Sequence, residues 1–284
     1  MSISVRQLLR SHGLIPKKGF SQNFLTDTKI AEQIVGLSGV GCDDRVVEIG
    51  PGIGSLTGLL LQKVGTLWAI EQDAFLLPIL QGQTAGMGRL HLLNADALRI
   101  NYLDLAEQLG GPLHIVANLP YQISTPILLL LLEQRQAIHS MTLMFQKEVA
   151  DRLCAPPNCK EYGALTVQCR LWAETSILLD VPPESFYPVP KVNSAVVGLT
   201  MRTEPLVPVE NPHLFTRIVR AAFGQRRKML RNALKILDDN SDAWLVRADI
   251  DPMRRGETLD IIEFARLSKE AQPEMWENFT QYPP

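Results

Sequence analysis

Residues 118–121 read Asn118-Leu119-Pro120-Tyr121, which sets an amide, a main-chain carbonyl, a rigid corner and an aromatic ring in a row. An amide oxygen and a carbonyl can both accept hydrogen bonds from an amine. Pro120 restricts the backbone so that the preceding carbonyl points one way. Tyr121 offers a flat face on which a base can stack. The same residues also suit an ordinary turn, so the tetrad matters only in company. Three other stretches supply that company. "EIGPGIGSLT" carries Gly50, Gly52 and Gly54 in a pattern that lets a ligand approach the backbone closely. Glu71 follows Gly50 by 21 residues, where nucleotide-binding sheets place an acid for ribose hydroxyls. Asp96 in "NADAL" can accept from the exocyclic amine of an adenine, or simply cap the helix that follows.

These residues need a scaffold that brings them to one edge, and the periodicity predicts one. Short apolar runs at 45–50, 66–73, 90–96, 113–118 and 140–146 read as strands, and helical patterns separate them. Such alternation predicts a parallel sheet covered on both faces. Glycine loop, Glu71, Asp96 and tetrad each end a strand, and open sheets of this kind bind ligands at that edge. The constellation therefore predicts a nucleoside-type cofactor. Position 55 is Ser55, not the glycine of a dinucleotide fingerprint, which argues against a pyrophosphate there. Thr125 and Pro126 suit the start of a helix over "ILLLLLEQR". Further strands are expected at "SILLDVP" and "SAVVGLTMR". The proline-rich segment 203–212 then reads as a linker to a helical end. The expected domains are a sheet domain over 1–202 and a small all-α domain over 203–284.

The net charge of −2 is uninformative, but its distribution is not. No acid lies between Asn211 and Leu237, while Arg217, Arg220, Arg226, Arg227, Lys228, Arg231 and Lys235 do. A second acid-free stretch, Met1 to Thr26, holds Arg6, Arg10, Lys17 and Lys18. Basic segments in an otherwise acidic chain point to a polyanionic partner. The longest aliphatic run, Ile127 to Leu132, is too short to span a bilayer. The N-terminus lacks a signal-peptide core, so a cytoplasmic protein without a membrane partner is expected. Cys42, Cys154, Cys159 and Cys169 show no zinc-ligand spacing and are expected as reduced, mostly buried thiols with no metal site.

Several long motifs in one order narrow the reading: "GFSQNFL", "EIGPGIGSLT", "ANLPYQIST", "MTLMFQKEVADRL", "FYPVPKVNSAVV" and "FGQRRKMLRNAL". Together they resemble the ribosomal RNA adenine N6,N6-dimethyltransferases, in particular their small-subunit branch. Ser21 stands where that family more often has Gly, and Asn193 where its small-subunit members usually have Asp. The resemblance implies a class I methyltransferase fold, Rossmann-like, with a mostly parallel seven-stranded sheet and a C-terminal all-α domain. It implies S-adenosyl-L-methionine as cofactor, bound by Asn23, Leu25, Gly50, Gly52, Glu71, Asp96 and Asn118. It implies a catalytic group of Asn118, Leu119, Pro120 and Tyr121, with Phe186 closing the other face of a flipped-out adenine. Tyr187 competes with Phe186 for that place. The RNA contacts implied are Arg217, Arg220, Arg226, Arg227, Lys228 and Arg231, on a helix that breaks at Gly224 and a second that begins at "RRK". The expected partner is 16S ribosomal RNA in the small subunit, with a monomeric enzyme acting on it. A large-subunit resistance methylase shares the tetrad, and a non-catalytic RNA-binding assembly factor shares the fold. The long "FGQRRKMLRNAL" segment favours the small subunit over the former, and the intact set Glu71, Asp96, Asn118 and Tyr121 argues against the latter.

Overall fold

The computed structural model describes residues 4–16 and 22–271. Ser21, Lys17, Lys18 and the last thirteen residues lie outside that range. Nine strands are present among the described residues: Phe24–Leu25 (β1), Arg45–Ile49 (β2), Thr66–Glu71 (β3), Arg89–Asn94 (β4), Leu113–Asn118 (β5), Ile138–Gln146 (β6), Ala173–Val181 (β7), Phe186–Tyr187 (β8) and Ser194–Met201 (β9). Seven of them form one sheet in the order β4-β3-β2-β5-β6-β9-β7, and β1 pairs with β8 separately. The first five run parallel, and β9 is antiparallel to β6. The central strands are buried on both faces, which is why they read as unbroken apolar runs and not as alternating ones. Val46, Val47, Leu113 and Ile115 are at or below 1% exposure.

The order reverses direction at β2, whose neighbours are β3 and β5. The carboxyl ends of β4, β3, β2 and β5 are therefore adjacent, and they carry Asp96, Glu71, Gly50 and Asn118 in turn. Ligand sites form outside such a switch point because the two connecting segments leave in opposite directions and open a crevice.

The described residues fall into two compact units, one within Met1–Asp151 and Glu174–Met201, the other within Arg152–Ala173 and Arg202–Pro284. This differs from a single cut after residue 202. Tyr162, Val167 and Leu171 are buried in one apolar cluster with Phe215, Ile218 and Leu245, so the segment 152–173 is part of the helical core. The rings of Tyr162 and Phe223 meet edge to face at 5.7 Å in that unit. Asn211 caps the helix Pro212–Gly224 by accepting from the Leu214 N–H at 3.0 Å, with Pro212 at the first helical position. That helix ends at Gly224.

Two local expectations are corrected. The helix after β5 spans Tyr121–Glu133, so Pro126 lies inside it and does not open it. Its first turn is supported by Ile123 N–H donating to the Pro120 carbonyl at 3.0 Å and by the Ser124 hydroxyl donating to the Tyr121 carbonyl at 3.0 Å. The "RRK" run does not begin a helix either: α-helix is confined to Leu230–Ala233, and residues 225–228 form a turn. Among the cysteines only Cys169 is buried, Cys42 is exposed, and all four are free thiols.

Candidate active site

A cavity of about 330 Å³ opens at the carboxyl ends of β2 to β5. Asn23, Leu25, Gly50, Gly52, Glu71, Asp96 and Asn118 all line it, together with Leu119, Pro120 and Tyr121. Residues that stand up to 98 positions apart, Asn23 and Tyr121, thus meet on one surface.

The glycine loop has a steric reason. Gly52 sits at φ +60°, and a Cβ there would lie 3.2 Å from the Phe24 ring. Gly50, at φ +68°, lies against the tetrad, its Cβ direction pointing to Pro120 Cδ at 3.8 Å. Glu71 ties loop to strand: one carboxylate oxygen accepts from the Gly52 N–H at 3.0 Å and the other from the Asp73 N–H at 2.8 Å. Burial raises the pKa of Glu71, and the two N–H donors oppose that rise. Asp96 lines the cavity and also caps the turn that follows, accepting from the Leu98 N–H at 3.0 Å. Its other oxygen is 3.7 Å from Arg99.

In the tetrad, Asn118 Nδ2 donates to the Asn23 carbonyl at 3.3 Å. That commits the NH₂ side of the amide and leaves Oδ1 as its acceptor. The Tyr121 hydroxyl shares a 2.7 Å hydrogen bond with Ser194 Oγ, and Ser194 is fully buried on β9. Burial raises the Tyr121 pKa, so the phenol stays neutral across the working range.

Phe186 does not line this cavity. It is 2% exposed, pairs with Leu25, and packs in the apolar cluster around Ile34, Leu60 and Val181. Alternate strand residues face opposite sides, so its neighbour Tyr187 turns instead toward Phe24, Ile53 and Leu76. Neither ring lines the cavity. One charged lining residue is not marked out by the motifs: Glu48, on β2, two positions before the glycine loop. It is 2% exposed and its Oε2 has no hydrogen-bond partner. Burial, with the nearby Glu71 charge, pushes its pKa up to about 8. The Thr57 hydroxyl opposes this, although Thr57 Oγ1 completes no hydrogen bond of normal geometry. A charged residue set within the apolar run 46–49 of "RVVEIG" is the signal that marks it.

The donor set tests the expected cofactor. Three acidic side chains, Glu48, Glu71 and Asp96, line the cavity, and among the described residues no Lys, Arg or His does. Such a lining repels a pyrophosphate and suits a ligand carrying hydroxyls, an amine and positive charge. Ile49, Ile70, Leu98 and Ile123 supply apolar wall for a purine. S-adenosylmethionine, with an ammonium, a sulfonium, a ribose diol and an adenine, fits that description.

In the helical unit the basic residues divide. Arg220, Arg227 and Lys228 are exposed and without an ion-pair partner among the described residues. Arg226 is engaged internally, with Nη2 donating to the Lys160 carbonyl at 2.6 Å and to the Tyr162 carbonyl at 3.1 Å. Arg231 stands 3.4 Å from Asp242.

Parallel strands, a reversal at β2, an antiparallel β9 and a glycine loop at the crevice define a class I methyltransferase of Rossmann-like fold. Residues 15–272 match the family described as ribosomal RNA adenine dimethylase, and the chain belongs to that family. It is therefore an enzyme of the adenine dimethyltransferase kind, with S-adenosylmethionine as its cofactor. The chain is 53% identical to a ribosomal RNA small subunit methyltransferase A of Magnetococcus marinus, over 95% of this chain and 96% of the relative. Among solved structures it is similar to a dimethyladenosine transferase from Plasmodium falciparum, with a TM-score of 0.71 and 25% identity over 86% of this chain and 95% of that one. It is also similar to the 23S rRNA methyltransferase ErmE, with a TM-score of 0.67 and 26% identity over 87% of this chain and 99% of that one.

Proposed function

We propose that this enzyme dimethylates N6 of two adjacent adenosines in a hairpin loop near the 3′ end of 16S ribosomal RNA, as a monomer in the cytoplasm, and contributes to small-subunit biogenesis. The observation that carries the chemistry is a cavity lined by three acidic side chains and, among the described residues, no cation, set directly beside the Asn-Leu-Pro-Tyr corner. The choice of small subunit rests on relatedness: 53% identity to a small-subunit enzyme stands against 26% to a large-subunit one.

The N6 nitrogen of adenine is a weak nucleophile because its lone pair is delocalised into the ring. Asn118 Oδ1 and the Leu119 carbonyl are acceptors for its two N–H bonds and would favour the pyramidal geometry that exposes the lone pair. The bond from Asn118 Nδ2 to the Asn23 carbonyl prevents the amide from presenting its NH₂ there instead. Tyr121 provides the stacking face, worth about 1–3 kcal/mol per base, and Ser194 holds that ring by its hydroxyl. Glu71 and Asp96 would hold the ribose and adenine of the cofactor, and Glu48, the third acid of the lining, would favour its positive charge. When bound, the cofactor supplies a methyl group on a positively charged sulfur that leaves as a neutral thioether. The alkylated nitrogen is acidic and releases its proton without a dedicated base, consistent with an amide where a carboxylate is not needed. Alignment within the pocket then accounts for much of the rate.

The test is methyl transfer to isolated ribosomal particles lacking the modification. Label is expected in small particles. Transfer confined to large particles would overturn the substrate assignment, and RNA binding without any transfer would favour an assembly factor.

A further inference from the structure

Gln146, the last residue of β6, is a half-buried amide whose side chain has no hydrogen-bond partner among the described residues. Two strand registers set its place. β6 runs beside β5 with Met144 opposite Asn118, so it reaches two residues past Asn118 at the carboxyl edge of the sheet. On its other side Gln146 stands opposite Ser194 of β9. Residues directly opposite in an antiparallel pair send their side chains to the same face, with Cβ atoms about 4.5–5.5 Å apart. Ser194 is the residue whose hydroxyl shares the 2.7 Å hydrogen bond with Tyr121. Gln146 therefore shares a face with the group that anchors the stacking ring. Just beyond that pair the Lys147 N–H donates to the Asn193 carbonyl at 2.9 Å and keeps the two strand ends together. The Lys147 ammonium is held by Asp151 at 2.6 Å and Asp180 at 3.3 Å. The donor this corner offers is thus the neutral amide of Gln146, not the cation that follows it.

An adenine held through its two N6–H bonds by Asn118 Oδ1 and the Leu119 carbonyl still presents N1, an acceptor on the same Watson–Crick edge. Enzymes that draw a base out of the stack read that edge by hydrogen bonds, and an acceptor shut away from water without a donor is unfavourable. We infer that Gln146 is a specificity-determining residue whose side-chain NH₂ donates to N1 of the target adenine. The inference rests on the adenine substrate proposed above and deepens it. Two acceptors at the amine and one donor at N1 complete the pattern of adenine, and guanine presents both signs reversed. The tetrad activates the amine, and Gln146 identifies the base that carries it.

The experiment is single-turnover methyl transfer by the full chain to small particles assembled with a synthetic 3′ segment of the RNA, carrying adenosine or 1-deazaadenosine at the target positions. The analogue keeps the amine and replaces N1 by C–H. Any change in the intrinsic reactivity of that amine is common to every enzyme compared, so it cancels when the adenosine-to-analogue rate ratios are compared. Q146L is expected to lose about tenfold on adenosine and little on the analogue, so its ratio falls by that factor relative to the parent. Q146E, equal in size but without the donor, should match Q146L, and it carries the same comparison if Q146L fails to fold. Cofactor affinity is expected to stay at the parent value in both. A ratio equal to the parent's, whether the two rates fall together or not at all, would overturn the N1 contact alone. Failure of the parent to label adenosine particles would overturn the substrate reading itself.

Discussion

Replacing Glu48 with Gln tests the electrostatics of the pocket most sharply. Glu48 is 2% exposed on β2, with one carboxylate oxygen lacking any partner, and its pKa stands at about 8 against an ordinary 4.5. In the unfolded chain this carboxyl ionises near its ordinary value, while in the folded chain it keeps its proton. The folded state therefore binds more protons than the unfolded one between those two values, so stability falls as pH rises through that window. Below about 4.5 the effect is absent, and above about 8 it is complete. The full difference corresponds to about 5 kcal/mol. Gln has the same shape and no titration, so E48Q should gain on wild type as pH rises from 5 to 8.5, approaching that magnitude. The assay is urea denaturation of the cofactor-free enzyme at several pH values, comparing the two stability curves. Parallel curves would refute the reasoning, because they would mean that Glu48 is already solvated or ionised in the folded state. The same carboxyl should lose its proton when a cation enters the pocket. Wild-type cofactor affinity should then tighten as pH rises toward 8 with proton release on binding, and E48Q should show neither.

Further predictions concern the parts that hold the site. Tyr121→Phe and Ser194→Ala should each slow methyl transfer by the equivalent of about 1 kcal/mol, and the double variant should be no worse than either; strict additivity in the rate cycle would show that the 2.7 Å bond does not position the ring. Gly52→Ala places a methyl 3.2 Å from the Phe24 ring at φ +60°. It should cost about 1–2 kcal/mol of stability and weaken cofactor binding, measured by melting and by titration; wild-type affinity would show that the loop adjusts freely. Phe186→Leu should lower the melting temperature and leave KM for RNA largely unchanged, since that ring is core; a KM rise without loss of stability would restore it as a stacking residue.

That Gly50, Glu71, Asp96 and Asn118 share one cavity was legible because they sit at strand ends, and strand ends can be read from short apolar runs bounded by glycine and polar residues. Gly50, Glu71, Asp96 and Asn118 needed only the strand order to become neighbours. The less legible features depend on packing between distant segments. Pro126 carries the local signature of a helix start, but a turn held by Ile123 and Ser124 extends the helix back to Tyr121. Phe186 and Tyr187 differ only in which side of a two-residue strand they face, which no motif states. The segment 152–173 has no change of composition at its edges, yet Tyr162, Val167 and Leu171 fill the helical core. Gln146 and Ser194 lie in separate motifs, so only the strand register sets them side by side.

The central claim is that the Asn118 amide activates the amine and does not merely shape a turn. The direct measurement is single-turnover methyl transfer by Asn118→Ala on small subunits lacking the modification, with RNA affinity measured on the same preparation. The account predicts a rate lower by about 10²–10³, comparable to loss of one preorganised polar contact at a reacting centre, with RNA affinity within about twofold of wild type because RNA is held elsewhere. Transfer at the wild-type rate with RNA binding intact would contradict it.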